Sequence, residues 1–137
     1  FTNMGVDSYS FVSALNGVVA QRLLRQCCPD CMTEEQVAPD RLLRSGIDPD
    51  VAQGYRFRRG VGCASCRGTG YRGRRAIAEA LRMNDELRQL LSERAPIGHI
   101  KQAAMRSGMT TLRAAAVKLV AAGETTLEEI NRVTIVD

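Results

Sequence analysis

Apolar and polar positions change their period along this chain, and the changes mark its elements. Phe11, Val12, Ala14 and Leu15 fit one face of a short helix that closes near Gly17. The run Val18 to Leu24, broken by Gln21 and Arg22, is the mostly apolar pattern of a strand covered on both faces. No matching set of parallel strands follows, so this strand is expected to belong to a larger sheet. Tyr55, Phe57 and Val61 alternate with Arg56 and Arg58, the period of a half-exposed strand. Residues 75–81 are expected to extend as a further strand, although their Ala and Glu content also suits a helix.

From Asn84 onward the spacing turns helical. Asn84 is a natural N-cap, with Asp85 and Glu86 set against the positive end of the helix dipole and Leu87, Leu90 and Leu91 forming the apolar stripe. A second helix starts near Pro96, buries Ile97, Ile100 and Ala104, and stops at Gly108. Thr111 opens a third, closed by Gly123, and Thr126-Leu127-Glu128-Glu129 is a capping box that begins a fourth. Four short helices joined by brief links predict a small bundle.

The middle of the chain carries the chemistry. Cys28-Pro29-Asp30-Cys31 and Cys63-Ala64-Ser65-Cys66 are two Cys-x-x-Cys pairs. Two residues between thiols let both sulfurs of a pair face one point, and two pairs complete the tetrahedron that a structural Zn²⁺ requires. The stretch between them, residues 32–62, is longer than a usual ribbon spacer of roughly 15–20 residues. It is expected to form a small subdomain: a helix capped by Thr33, re-entered at Pro39 and running to Gly46, then a turn or brief helix from Asp48. Gly68, Gly70 and Gly73 would let the backbone fold tightly around the metal.

Charge alters this picture little. The formal net charge is +4, and a Zn²⁺ held by four thiolates lowers that figure by two. The protein is moderately basic and not an obvious polyanion binder. All but Lys101 and Lys118 of its 19 cationic residues are arginines, and those at 56, 58, 59, 67, 72, 74 and 75 gather around the second cysteine pair. They form either a solvated rim or a docking face for an acidic partner or anionic lipid headgroups. No apolar run approaches 18 residues, and no export signal is recognisable. A reducing compartment is expected, where paired Cys-x-x-Cys units are more often metal sites than disulfides. The fifth thiol, Cys27, is expected to be a small buried residue turned away from the metal.

No catalytic set is assembled. Neither Lys101 nor Lys118 lies in the Gly-Lys-Ser/Thr context of a P-loop, and His99, the single histidine, has no nucleophile beside it. A closed Cys₄ site keeps no open position for a substrate. No catalytic and no cofactor-binding residues are therefore assigned.

Met4-Gly5-Val6, Gly17-Val18-Val19-Ala20-Gln21-Arg22-Leu23-Leu24-Arg25 and Cys28-Pro29-x-Cys31 resemble the ATPases of type II secretion and type IV pilus assembly. So do Gly62-Cys63-x-x-Cys66-x-Gly68-Thr69-Gly70-Tyr71-x-Gly73-Arg74, Gly108-Met109-x-x-Leu112-Arg113 and Gly123-x-Thr125-Thr126-Leu127-Glu128-Glu129-Ile130. The resemblance implies the C-terminal part of a cytoplasmic, Mg²⁺- and ATP-dependent homo-hexameric motor, peripheral at the inner membrane and working on membrane-platform proteins. Its P-loop and catalytic histidine would lie upstream of Phe1, which is read as a cut inside a larger domain. Cys28, Cys31, Cys63 and Cys66 would bind the zinc.

The expected fold is α+β: the edge of a truncated RecA-like core (residues 1–26), a tetracysteine zinc subdomain with short strands (27–75), and a C-terminal bundle of short helices (76–137). Three rivals remain. A stand-alone nucleic-acid module would share the Cys₄ site and the arginines, but lacks aromatic residues and a recognition helix. A chaperone-type zinc module would need several Cys-x-x-Cys-x-Gly-x-Gly repeats, where only Cys63 begins one. A thiol redox enzyme would need a βαβ pattern beside its dithiol.

Overall fold

The computed structural model describes residues 2–136, so Phe1 and Asp137, the outer ends of the first and last expected segments, lie outside the described residues. Its elements are α1 (Ser8–Ala14), β1 (Gly17–Cys27), β2 (Met32–Glu34), α2 (Pro39–Arg44), β3 (Arg58–Gly60), β4 (Tyr71–Arg82), α3 (Asp85–Ser92), α4 (Ile97–Arg106), α5 (Leu112–Ala121) and α6 (Leu127–Val133). Single 3₁₀ turns lie at Thr2–Met4 and Val51–Gly54. Helices and short strands are thus mixed, in two two-stranded sheets, β1 with β4 and β2 with β3. The chain folds as two compact units, residues 1–20 with 79–111 and residues 21–78 with 112–137.

The first unit is built by α1, α3 and α4. Asp7 caps α1 by accepting from the Ser10 N–H at 2.8 Å, and that donor holds the Asp7 carboxyl below its usual range. Asn84 caps α3 the same way, accepting from the Leu87 N–H at 2.8 Å. The apolar stripe of α3 then packs Leu87 against Met83, Ala103 and Ala104, all buried. Ile97, expected inside, is 80% exposed. It begins the stripe that Ile100 and Ala104 continue, and the first turn of α4 overhangs the core.

The second unit holds the larger core, in which Leu24 of β1, Ile77 of β4, Leu42 of α2, Ala116 and Val120 of α5, and Leu127 and Ile130 of α6 are buried together. Two expectations are corrected here. Residues 33–36 do not begin a helix: β2 pairs antiparallel with β3, Met32 opposite Gly60 and Glu34 opposite Arg58. Bonds from the Glu35 N–H to the Phe57 carbonyl (2.9 Å) and from the Val61 N–H to the Cys31 carbonyl (3.1 Å) flank that ladder. Non-local pairing overrides the local capping signal, and the helix waits for Pro39, whose fixed φ suits a first turn. Strand β1 pairs with β4, and its side chains are less covered than the two-faced apolar pattern implied. Leu24 is buried, but Val19 is 71% and Leu23 55% exposed.

The four C-terminal helices do not share one core. Helices α3 and α4 pack with α1, whereas α5 and α6 join the core of the second unit. Gly123 ends α5 with φ +73°, and a Cβ there would stand 2.7 Å from the Arg56 carbonyl oxygen. Both the left-handed backbone and the close approach require glycine.

Candidate metal centre

Two turns carry the cysteine pairs to one point in the second unit. Cys28 and Cys31 follow the end of β1; Cys63 and Cys66 lie in the link from β3 to β4. The backbones touch where they cross. A Cβ on Gly60 would stand 2.0 Å from the Gly70 carbonyl oxygen, and one on Gly62 would stand 2.9 Å from that of Gly68. Gly62 and Gly70 also have positive φ, and a Cβ on Gly70 would stand 2.4 Å from the Gly60 carbonyl oxygen, so both points require glycine.

All four sulfurs lie within 4.8 Å of one another, and among the described residues this is the one group of side chains close enough to hold a metal ion. Cys28 to Cys63 and Cys31 to Cys66 are each 3.8 Å, and Cys63 to Cys66 is 3.7 Å. A tetrahedron with Zn–S bonds of about 2.3 Å has edges of about 3.8 Å, so the donor set has the size a Zn²⁺ requires. Cys28 and Cys66 are buried, and Cys31 and Cys63 half-buried.

Backbone amides serve the sulfurs unequally. Cys66 Sγ accepts from the N–H groups of Cys63 and Gly70, both at 3.2 Å, and Cys31 Sγ accepts from the Gly62 N–H at 3.3 Å. Burial pushes the Cys28 and Cys31 thiols up, Cys31 to about 12. At Cys66 burial also acts upward, but the Cys63 and Gly70 amides outweigh it and bring the thiol to about 6.

Cys27 is buried outside the cluster. Its S–H donates to the Arg58 carbonyl at 3.5 Å, and burial raises its thiol, the placement of an inert structural cysteine. His99 is an exposed residue of α4 and joins no ligand group. Of the arginine cluster, Arg72 pairs with Asp30 at 2.8 Å and Arg75 with Glu124 at 3.1 Å. Arg56, Arg59, Arg67 and Arg74 are exposed, Arg58 is half-buried, and none of the five is in an ion pair among the described residues.

A second polar centre, missed in the sequence, forms on Glu129. The Glu129 side chain is wholly buried. It accepts from the Arg25 backbone N–H (2.9 Å), from Arg25 Nε and Nη2 (3.0 and 2.7 Å) and from Arg132 Nε and Nη2 (3.1 and 2.7 Å). Burial alone would raise this carboxyl, yet the Arg132 and Arg25 donors hold it down at about 2. The Arg25 guanidinium lies 4.3 Å over the Tyr71 ring, and the Tyr71 hydroxyl meets Thr126 Oγ1 at 2.6 Å. Thr126 caps α6 as the capping box predicts, accepting from the Glu129 N–H at 3.2 Å. The Glu129 carboxylate, however, goes to the arginines. Arg132, three residues on, was the sequence signal for that diversion.

Four cysteine sulfurs within 4.8 Å of one another make a tetracysteine group that could hold a metal ion, and comparison with known proteins supplies the lineage. The chain belongs to the family described as type II/IV secretion system protein, which it matches over residues 1–132. It is 42% identical over 132 residues to the type IV pilus assembly ATPase PilB of Thermus thermophilus, a match covering 96% of this chain and 15% of that relative. It is 38% identical over 129 residues to PilB of Myxococcus xanthus, covering 93% of this chain and 23% of the relative. Type II secretion system protein E of Xanthomonas campestris is 39% identical over 134 residues, with 96% of this chain and 23% of the relative covered. The chain thus spans less than a quarter of the length of these relatives.

Proposed function

We propose that this chain is the zinc-binding C-terminal region of a hexameric ATPase that powers type II secretion or type IV pilus assembly. In this reading Cys28, Cys31, Cys63 and Cys66 hold a structural Zn²⁺. The observation that carries it is the set of Sγ separations near 3.8 Å, the edge of a zinc–thiolate tetrahedron, in a chain of this family. The metal supplies a cross-link: joining Cys31 to Cys63 closes a loop of about 30 residues, an entropy equivalent to about 4 kcal/mol on the disulfide scale. ATP and Mg²⁺ belong to the rest of the parent, which is cytoplasmic and peripheral at the inner membrane. Residues 1–26 are the last edge of its RecA-like core, and the zinc subdomain of residues 27–75 shares its hydrophobic core with α5 and α6.

The rigid knuckle works as a docking projection toward membrane-platform proteins. The five arginines without carboxylate partners among the described residues supply contact to anionic lipid. Family membership over nearly the whole chain favours this reading over a stand-alone nucleic-acid or chaperone-type module. Elemental analysis with thiol titration tests the site: one Zn per chain and four thiols protected until chelation are expected. Metal-free protein with two disulfides would overturn it.

A further inference from the structure

The four cysteines of the proposed zinc site are not equivalent, and the difference falls on Cys63. Backbone N–H donors spread the charge of a bound thiolate and blunt its nucleophilicity. Cys66 has two such donors and is buried; Cys31 has one, from Gly62. Cys28, like Cys63, accepts from no backbone N–H among the described residues, but it is buried. Among the described residues no backbone N–H donates to the Cys63 sulfur, which is also half-buried in a turn whose next two residues, Ala64 and Ser65, are exposed. Of the two sulfurs without an amide donor, Cys63 is thus the one that solvent reaches.

We infer that Cys63 is a modification site: the ligand at which soft electrophiles, hydroperoxides in particular, first attack the zinc-loaded chain. With hydrogen peroxide the Cys63 thiolate forms an S–O bond as the O–O bond breaks, and the departing hydroxide leaves as water after taking a proton. A second thiolate, Cys66 at 3.7 Å or Cys28 at 3.8 Å, then attacks the sulfenic sulfur. The S–S bond forms and the second oxygen leaves as water. Two thiolates have lost two electrons, one peroxide has become two waters, and Zn²⁺ is released with half its ligands gone. Cys27 takes no part, since its thiol is buried and donates to the Arg58 carbonyl.

The inference rests on the zinc reading, and the test separates the two. Zinc content of the purified chain is measured first; a chain that purifies without metal overturns both. The loaded chain is then exposed to limiting hydrogen peroxide with dimedone, zinc release is followed with a chromogenic chelator, and labelled cysteines are mapped by peptide mass spectrometry. Label is expected first on Cys63. Cys63→His, which exchanges the thiolate for another zinc donor, is expected to slow zinc release about tenfold, whereas Cys31→His changes it less than about twofold. First label on Cys31 or Cys27, or equal protection by both variants, overturns the assignment with the zinc site still standing. Should a variant fail to retain zinc, the map on the unaltered chain decides alone.

Discussion

Glu129→Gln is the sharpest test of how the second unit is held. The substitution keeps size and shape but removes the charge on which five hydrogen bonds converge. Gln can still accept from the Arg25 backbone N–H, so the loss falls on the guanidinium contacts, where its amide sets donor against donor. The carboxyl stands at about 2 against an ordinary 4.5, which at about 1.4 kcal/mol per pH unit corresponds to roughly 3 kcal/mol of gross stabilisation. Arg25 and Arg132 are 45% and 56% exposed and regain water when released, so a loss of about 2 kcal/mol is expected. The folded carboxyl binds its proton more weakly than the unfolded one. Its contribution is therefore complete above pH 4.5 and disappears as pH falls toward 2. Urea denaturation of the zinc-loaded chain, followed by far-UV circular dichroism at pH 7, measures the difference. A change below about 0.5 kcal/mol would refute the reasoning, because it would mean the arginines do as well in water as on this carboxylate.

Gly123→Ala should cost about 2 kcal/mol or more, whereas Gly98→Ala in α4, where a Cβ meets nothing within 4 Å, should stabilise by about 0.5–1 kcal/mol; urea midpoints check both. Removing the metal with a strong chelator should strip hydrogen-exchange protection from the amides of Gly62, Cys63 and Gly70, which donate to sulfur. The Leu87 amide, held by Asn84, should keep its protection. Asn84→Ala should in turn lower that protection and cost about 1 kcal/mol in thermal melts.

What the sequence displays and what it conceals follow from the range of the interactions involved. Caps and stripes act within a turn or two, so Asn84 and Thr126 announce α3 and α6, and the apolar spacing of their residues is readable directly. The Cys-x-x-Cys spacing likewise contains its own geometry, and the four sulfurs do converge. Strand β2 is concealed because Thr33-Glu34-Glu35-Gln36 is a sound local helix start; only its pairing with residues some 25 positions later decides otherwise. The parting of the helix pairs between Thr111 and Leu112 is hidden for the same reason, since the link at Gly108 ends a helix as the others do and nothing local marks a change of core. Glu129 shows a mixed case: its backbone behaves as the capping box requires, while its carboxylate obeys arginines that include one a hundred residues away in sequence.

That long reach ties the cysteine cluster and the carboxylate to one seam. Arg25 lies three residues before Cys28, and Tyr71 five residues after Cys66, so the chain entering the first cysteine pair and the chain leaving the second both run to the base of α6. The Thr125 hydroxyl donates to the Arg25 carbonyl at 2.8 Å, and the Cys27 N–H donates to the Glu124 carbonyl at 2.8 Å, closing the same seam through the backbone. A metal held by the four cysteines would fix the separation of the two strand ends, and Glu129 fixes one of them to α6. Each should be worth more when the other is present. Glu129→Gln is thus expected to destabilise the zinc-loaded chain by about 1 kcal/mol more than the metal-free chain, the size of coupling usual for groups sharing one network. Four denaturation curves, with and without metal for each sequence, yield that coupling energy. Strict additivity would show the knuckle and the carboxylate to be independent staples, and the knuckle would then have no mechanical path into α6.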